Sequence, residues 1–185
     1  DLLVLATGSR PNVPTSGPLA KPGALGLRNR GDAKRIQGLA APGARVVIQG
    51  AGLLGIELAD ALSTRGCAVT ILQRSKRLMG KQLDAKASAY LHSHLEDRGI
   101  TVRYDANLLA LVGDREVTGA MLDEGEVVPC ELFVFATGTV PNAELARAAG
   151  LACAKGITVD QHLRTADPHV FAIGECAEIG GQLYG

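Results

Sequence analysis

Arg45-Val46-Val47-Ile48-Gln49-Gly50-Ala51-Gly52-Leu53-Leu54-Gly55-Ile56-Glu57 reads as a buried strand, a glycine-rich turn and the start of a helix. The helix is expected to run Leu53–Thr64, ended by Arg65-Gly66, and Ala68–Leu72 is the next strand. Strand, helix and strand within about 30 residues mark a right-handed parallel crossover. Downstream, Asp84–Arg98 reads as an amphipathic helix with Ala87, Leu91 and Leu95 on one apolar face and Gly99 as its stop. Ile100–Tyr104 follows as a strand. From Leu108 to Val128 short alternating stretches surround Gly113-Asp114 and Asp123-Glu124-Gly125, which predicts a small antiparallel meander with tight turns. Asp114, Asp123 and Glu124 are assigned to those turns, where Asx side chains mimic backbone. Glu131–Ala136 is again a buried strand, Asn142–Ala149 a short helix capped by Asn142, and Val170–Ile173 a last strand. Upstream, Asp1–Ala6 is a short strand. Ser9–Gly26, with four prolines, reads as a connector with little regular structure, and Asp32–Leu39 as a helix with Asp32 at its N-cap. The fold class is therefore α/β: a Rossmann-like domain whose parallel sheet carries an antiparallel meander.

Composition narrows the function. Nineteen basic and 19 acidic side chains balance to zero, which argues against nucleic-acid binding and against a polybasic membrane surface. No apolar run reaches the ~20 residues of a membrane span. Asp1–Leu5 has neither a charged n-region nor a long apolar h-region, so no secretory signal is expected there and the chain is placed in the cytoplasm. Gly is 23 of 185 and aromatics are 3%, which suits helices packed closely on a sheet rather than an aromatic stacking platform. Cys67, Cys130, Cys153 and Cys176 form no C-x-x-C pair and read as small buried hydrophobes, not as a metal or dithiol site. His92 and His94 lie two apart on a helix, about 200° around its axis, and read as solvated surface residues. No metal ligand set and no side-chain nucleophile or proton-transfer residue is assigned.

Gly50-Ala51-Gly52-Leu53-Leu54-Gly55 fits G-x-G-x-x-G in the context that motif requires, after a strand and opening a helix. Gly50 permits the tight turn, Gly52 lets a pyrophosphate approach main chain, and Gly55 lets the helix lie close to the sheet. The helix N-terminus offers unpaired N–H groups and partial positive charge to phosphates. A ligand-free turn of the same shape is the competing reading. The Ala68–Leu72 strand should end near the adenosine ribose, where a carboxylate would favour NAD. Gln73-Arg74-Ser75-Lys76-Arg77 stands there instead, with no carboxylate and three cations. This favours a 2′-phosphate and NADPH; the other reading is solvated loop charges, with Gln73 bonding the hydroxyls of NAD. Glu57 either reaches towards the nicotinamide end or is a helix N-terminal acid stabilised by the dipole.

Leu3-Val4-Leu5-Ala6-Thr7-Gly8 and Phe133-Val134-Phe135-Ala136-Thr137-Gly138 are near copies, each followed after two residues by Pro-Asn, at Pro11-Asn12 and Pro141-Asn142. Together with Ala6-Thr7-Gly8-Ser9-Arg10-Pro11, the Gly50–Gly55 turn with Glu57, and Ala172-Ile173-Gly174-Glu175, these pieces resemble the pyridine nucleotide–disulfide oxidoreductase superfamily of two-dinucleotide flavoproteins. Leu78–Asp84 and Gly174–Glu178 with Gly181–Gly185 are similar to the flavin region of assimilatory nitrite reductase large subunits and nitrate reductase electron-transfer subunits. Most relatives place Asp after the last Gly, against the flavin ribityl chain; Glu175 stands there here, as in the nitrite reductase branch.

The resemblance implies an NAD(P) domain inserted into an FAD domain, with boundaries at 1–25 for an FAD-domain piece and connector, 26–138 for the NAD(P) domain and 139–185 for the returning FAD-domain piece. It implies NAD(P) contacts at Gly50, Ala51, Gly52, Leu53, Leu54, Gly55, Glu57, Gln73, Arg74, Arg77 and Gly138, and FAD contacts, in the intact protein, at Ala6, Thr7, Gly8, Arg10, Gly174 and Glu175. The family's own FAD glycine fingerprint has no counterpart here. The chain is therefore expected to be an excised piece, inactive alone, whose flanks offer apolar strand edges for homodimerisation. The implied activity is hydride transfer from NAD(P)H to FAD and electron transfer onward, in nitrite or nitrate reduction. Implied partners are the rest of the FAD domain and a siroheme or iron–sulfur module or a redox protein. A reductase component for rubredoxin or ferredoxin, and a non-catalytic dinucleotide-binding domain, are the alternatives.

Overall fold

The computed structural model describes residues 1–123 and 125–183 and divides into two compact units: Asn12–Thr137, and Asp1–Pro11 together with Gly138–Gly185. The division falls at Pro11–Asn12 and Thr137–Gly138, whereas the sequence put the first boundary after residue 25.

The Asn12–Thr137 unit is built on a five-stranded sheet in the order Ala24–Gly26, Leu132–Phe135, Arg45–Gln49, Ala68–Leu72, Thr101–Arg103, all parallel. Among its described residues this unit has three α-helices, α1 (Arg30–Leu39), α2 (Leu53–Thr64) and α3 (Ala85–Asp97). Side chains alternate between the faces of a strand, and here the alternation separates two cores. Val46, Ile48, Leu132 and Val134 pack with Ile36, Ala59, Leu62 and Leu95 from the helices. Val47, Leu72, Phe133 and Phe135 pack with Leu111, Ala120 and Val128. Those last residues come from the antiparallel meander of Leu108–Val112, Gly119–Leu122 and Val127–Pro129. Helices cover one face and the meander the other, which is why the central strands are apolar throughout rather than alternating.

The structure departs from the sequence-based expectation at several positions. Asp32 is not an N-cap: α1 starts at Arg30 under Asn29, whose Oδ1 accepts from the Gly31 and Asp32 amides, while the Asp32 carboxylate accepts from the Asn29 amide. This is a capping box, with the acid at its third position. The proline-rich connector is not without structure, because Ala24–Gly26 supplies the sheet's edge strand beside Phe133–Phe135. On α3 Ala87 is exposed and Ser88 is buried, its hydroxyl accepting from the Leu78 amide at 3.0 Å. His92 is partly buried rather than solvated, its ring 5.3 Å from that of Tyr104. At the meander turns, the Asp123 carboxylate accepts from the Asn107 side chain at 2.7 Å, and Glu124 lies outside the described residues.

The second unit is strand-rich. Leu3–Leu5 pairs in parallel with Val170–Ala172, Ile157–Val159 with Ala177–Ile179, and Ser9–Pro11 runs antiparallel to Thr139–Pro141. That last ribbon joins the continuations of the two repeated segments: Arg10 stands opposite Val140. The core of this unit holds Leu5, Ala146, Ile157, Ala172 and Cys176. The helix α4 (Glu144–Ala148) starts two residues later than read and Asn142 does not cap it. Cys67, Cys130 and Cys176 are buried and Cys153 partly so, all as free thiols. Among the described residues no helix is long and apolar enough to cross a membrane.

Candidate dinucleotide site

The Arg45–Gln49 strand delivers the chain into Gly50, which adopts φ +109° and donates its amide to Leu72 O at 2.9 Å. A Cβ at Gly50 would stand 2.6 Å from Ala136 O, and one at Gly55 would stand 2.0 Å from Gly50 O. Both positions exclude any side chain because main chain is packed against them. Gly52 is different. It has extended backbone (φ −84°, ψ −178°), and a Cβ there meets nothing within 4 Å. It is the N-cap of α2 and no side chain caps the helix. The first helical hydrogen bond is Ile56 N–H to Gly52 O. The amides of Gly52, Leu53, Leu54 and Gly55 therefore have no acceptor among the described residues. Uncapped donors beside open space, at the positive end of a 12-residue helix, suit an anionic group.

Ala51 is part of the support rather than of the open surface. It is buried, and its amide donates to Gln73 Oε1 at 3.1 Å. Gln73 Nε2 donates to Ser75 Oγ (2.6 Å) and to Arg77 O (3.1 Å). Arg74, Lys76 and Arg77 are exposed, and no carboxylate among the described residues pairs with them. Glu57 is also exposed and without a partner among the described residues, on the second turn of α2. A cavity of about 430 Å³ lies elsewhere in this unit, between α1 and α2, floored by Ile36 and Leu62; none of its lining residues belongs to the glycine turn or the cation loop.

The residues expected to meet FAD lie in the other unit, and several are joined. Thr7 Oγ1 donates to Asn142 O (2.6 Å), Asn142 Nδ2 donates to Thr7 O (2.9 Å), and the Asn142 amide donates to Gly8 O. Arg10 donates to Asn142 Oδ1 and pairs with Glu144 at 2.7 Å. The Glu144 carboxyl is held below its ordinary range by its own backbone N–H first and Arg10 second. Ser9 Oγ donates to Glu175 Oε2 at 2.7 Å. Gly174, at φ +71°, opens the single turn Gly174–Cys176 that carries Glu175. Gly138, at φ +98°, precedes the Thr139–Pro141 strand, and Ala6, just past the Leu3–Leu5 strand, is exposed. Ser9, Asn142 and Glu144, which join these residues, were not among the contacts expected from the sequence. The signal for Asn142 was present in the repeated Pro-Asn, whose other copy behaves alike: Thr137 Oγ1 points to Asn12 O at 3.5 Å.

The family model of pyridine nucleotide-disulphide oxidoreductases matches residues 1–184. The assimilatory nitrate reductase electron transfer subunit of Bacillus subtilis is 34% identical over 185 residues, all of this chain and 24% of that protein. A ferredoxin reductase from Rhodopseudomonas palustris superposes with a TM-score of 0.88 at 35% identity, over 96% of this chain and 44% of that one. An engineered water-forming NADPH oxidase, bound to NADPH, superposes with a TM-score of 0.84 at 28% identity, over 96% of this chain and 39% of that one. The chain thus spans about a quarter of the curated relative's length and less than half of each solved one. A family match along nearly its whole length, together with an α/β fold shared at high superposition, leads to one conclusion: the chain belongs to the pyridine nucleotide-disulphide oxidoreductase family.

Proposed function

We propose that the Asn12–Thr137 unit is the NAD(P)H-binding module of an FAD-dependent reductase, with the diphosphate on the free amides of Gly52, Leu53, Leu54 and Gly55. The observation that carries this reading is the uncapped start of α2 beside an open Gly52, between two glycines where no side chain fits. Gly50 shapes the turn, Ala51 and Gln73 support it, and Glu57 is available to the nicotinamide end. Arg74 and Arg77 serve a 2′-phosphate. The NADPH-bound oxidase supports that assignment. It carries three consecutive substitutions, aspartate to alanine, alanine to arginine and methionine to serine. The consecutive Gln73-Arg74-Ser75 has the same character, no carboxylate and then arginine and serine.

Bound NAD(P)H supplies hydride, and FAD in the whole protein accepts it. This chain's residues grip, orient and select the coenzyme. The Thr7–Gly8–Arg10–Asn142 network and Ser9–Glu175, with Ala6 and Gly174 at the strand ends, are the main-chain-ordering side of the FAD site, and Gly138 is kept as an NAD(P) contact. The whole protein passes electrons onward in nitrite or nitrate reduction, a reading supported by the nitrate reductase relative and the Gly174-Glu175 signature. The ferredoxin reductase likeness supports a second reading, a reductase for a small iron–sulfur protein.

Titration of the chain with NADPH and NADH by calorimetry tests the module. Saturable binding, tighter for NADPH, is expected; no association of either coenzyme at millimolar concentration refutes it. Electron transfer by the whole protein to a nitrite-reducing centre or to a ferredoxin separates the two readings.

A further inference from the structure

We propose that Gln73 is a positioning residue that sets selectivity between NADPH and NADH without touching either coenzyme, by bracing the Arg74–Arg77 loop against the glycine turn. The inference rests on the dinucleotide reading above.

Gln73 is fixed at its base. Its amide donates to Arg103 O at 2.8 Å and its carbonyl accepts from the Ala106 amide at 3.1 Å. From this anchored backbone the side chain reaches two ways. Oε1 takes the buried Ala51 N–H, and both Nε2 protons are spent, one on Ser75 Oγ and one on Arg77 O. Ser75 Oγ donates in turn to Arg77 O at 3.1 Å, which closes a triangle of three residues inside the loop. The orientation of the amide is decided by its partners: Ala51 N–H demands an oxygen and Arg77 O demands a donor. The loop's far end is tied to the same point, since Met79 N–H donates to Ala51 O at 3.0 Å and Leu78, fully buried, donates to Ser88. Residues 74–78 therefore hang between two ties to Ala51, and Ala51 is the residue before the open Gly52.

Only a primary amide of this length does all three jobs. A carboxylate can accept from Ala51 but has no proton for Arg77 O, and would set two acceptors against each other. An apolar chain of the same length leaves the Ala51 amide without its acceptor and Arg77 O with the Ser75 hydroxyl alone. With Gln73 in place no donor of its side chain remains for ribose hydroxyls, while the main chain carrying Arg74 and Arg77 is ordered before any ligand arrives. Preordering lowers the entropic cost of placing two guanidinium groups on a phosphate. That benefit goes to a 2′-phosphate and not to a 2′-hydroxyl.

The test is calorimetric titration of this chain and of Gln73→Met and Ser75→Ala with NADPH, NADH, 2′,5′-ADP and 5′-AMP, alongside ligand-free melting. Gln73→Met is expected to weaken NADPH and 2′,5′-ADP by roughly tenfold, about the worth of one to two hydrogen bonds, with NADH and 5′-AMP changed less than about twofold. Ser75→Ala, which removes one side of the triangle at an exposed position, is expected to shift the ratio the same way by a smaller factor. If Gln73→Met weakens NADH as much as NADPH or more, Gln73 either contacts the ribose or serves only the glycine turn common to both coenzymes, and its role in selectivity is overturned. An unchanged NADPH-to-NADH ratio in both variants overturns it too, leaving Gln73 a purely structural residue. Failure of the unsubstituted chain to bind either coenzyme would instead remove the dinucleotide reading itself.

Discussion

The glycine turn separates folding from binding, because its three glycines meet different surroundings. Gly52→Val is the informative change. Its backbone is extended and nothing lies within 4 Å of a Cβ, so a side chain enters solvent without a clash. Loss of a glycine's freedom in the unfolded chain and loss of an N-cap glycine oppose one another, each on the order of 1 kcal/mol or less. Ligand-free stability should therefore move by no more than about 1 kcal/mol, or roughly 2–4 °C for a chain of this size. Gly55→Ala is the contrast: its Cβ would lie 2.0 Å from Gly50 O, and a displaced main chain costs several kcal/mol, well above the ~1 kcal/mol of an ordinary substitution. Coenzyme at about 100 times its dissociation constant adds ~2.7 kcal/mol, a rise of roughly 5–10 °C in melting temperature. The assay is differential scanning calorimetry with and without NADPH. Gly52→Val should melt like the parent without ligand and show no ligand-induced rise; Gly55→Ala should melt lower in both conditions. A Gly52→Val chain that keeps the full rise would refute the placement of a diphosphate at Gly52.

Three further outcomes are expected. Reversing charge with Arg74→Glu and Arg77→Glu together should weaken NADPH more than NADH and flatten the salt dependence of NADPH binding, measured by titration at two ionic strengths; equal weakening speaks against a 2′-phosphate subsite. The Glu131 carboxyl is held below its ordinary 4.5 by hydrogen bonds from the Arg45 guanidinium and then the Arg45 amide. A depressed folded pKa means its stabilisation is complete above pH 4.5 and fades as pH falls through the folded value, so urea midpoints of the parent and Glu131→Gln should converge from pH 7 to pH 3, and a constant gap would contradict the pairing. Burial, and then the Glu131 charge, push the Cys130 thiol up to about 11; iodoacetamide at pH 8 should label it only in denaturant, and rapid labelling of the native chain would show that the strand end opens.

The sequence alone determined the crossover at residues 45–72, the three long helices and the meander, because their signals are local. Apolar runs of the right length, a glycine stop at Gly66 and Gly99, and turn residues between short strands act within a few positions of the chain. The glycine turn was legible from its spacing after a strand, and at Gly55 the constraint is local, since a Cβ there would meet Gly50 O; at Gly50 it is Ala136 O, from a distant strand, that excludes a side chain. Tertiary structure alone decided what pairs across distance. Ala24-Leu25-Gly26 has no strand signal of its own, yet it becomes an edge strand because Phe133–Phe135 leaves an unpaired row of main-chain groups beside it. Asn142 looked like a cap because caps are short polar residues before helices, but Thr7 and Arg10 bring it partners more than 130 positions away. Gln73 looked like a ribose contact because of its place after a strand. Its hydrogen bonds to Ala51 on one side and Arg77 on the other exist only once the turn and the loop have closed around it, since a hydrogen bond is defined by geometry that residue order does not carry.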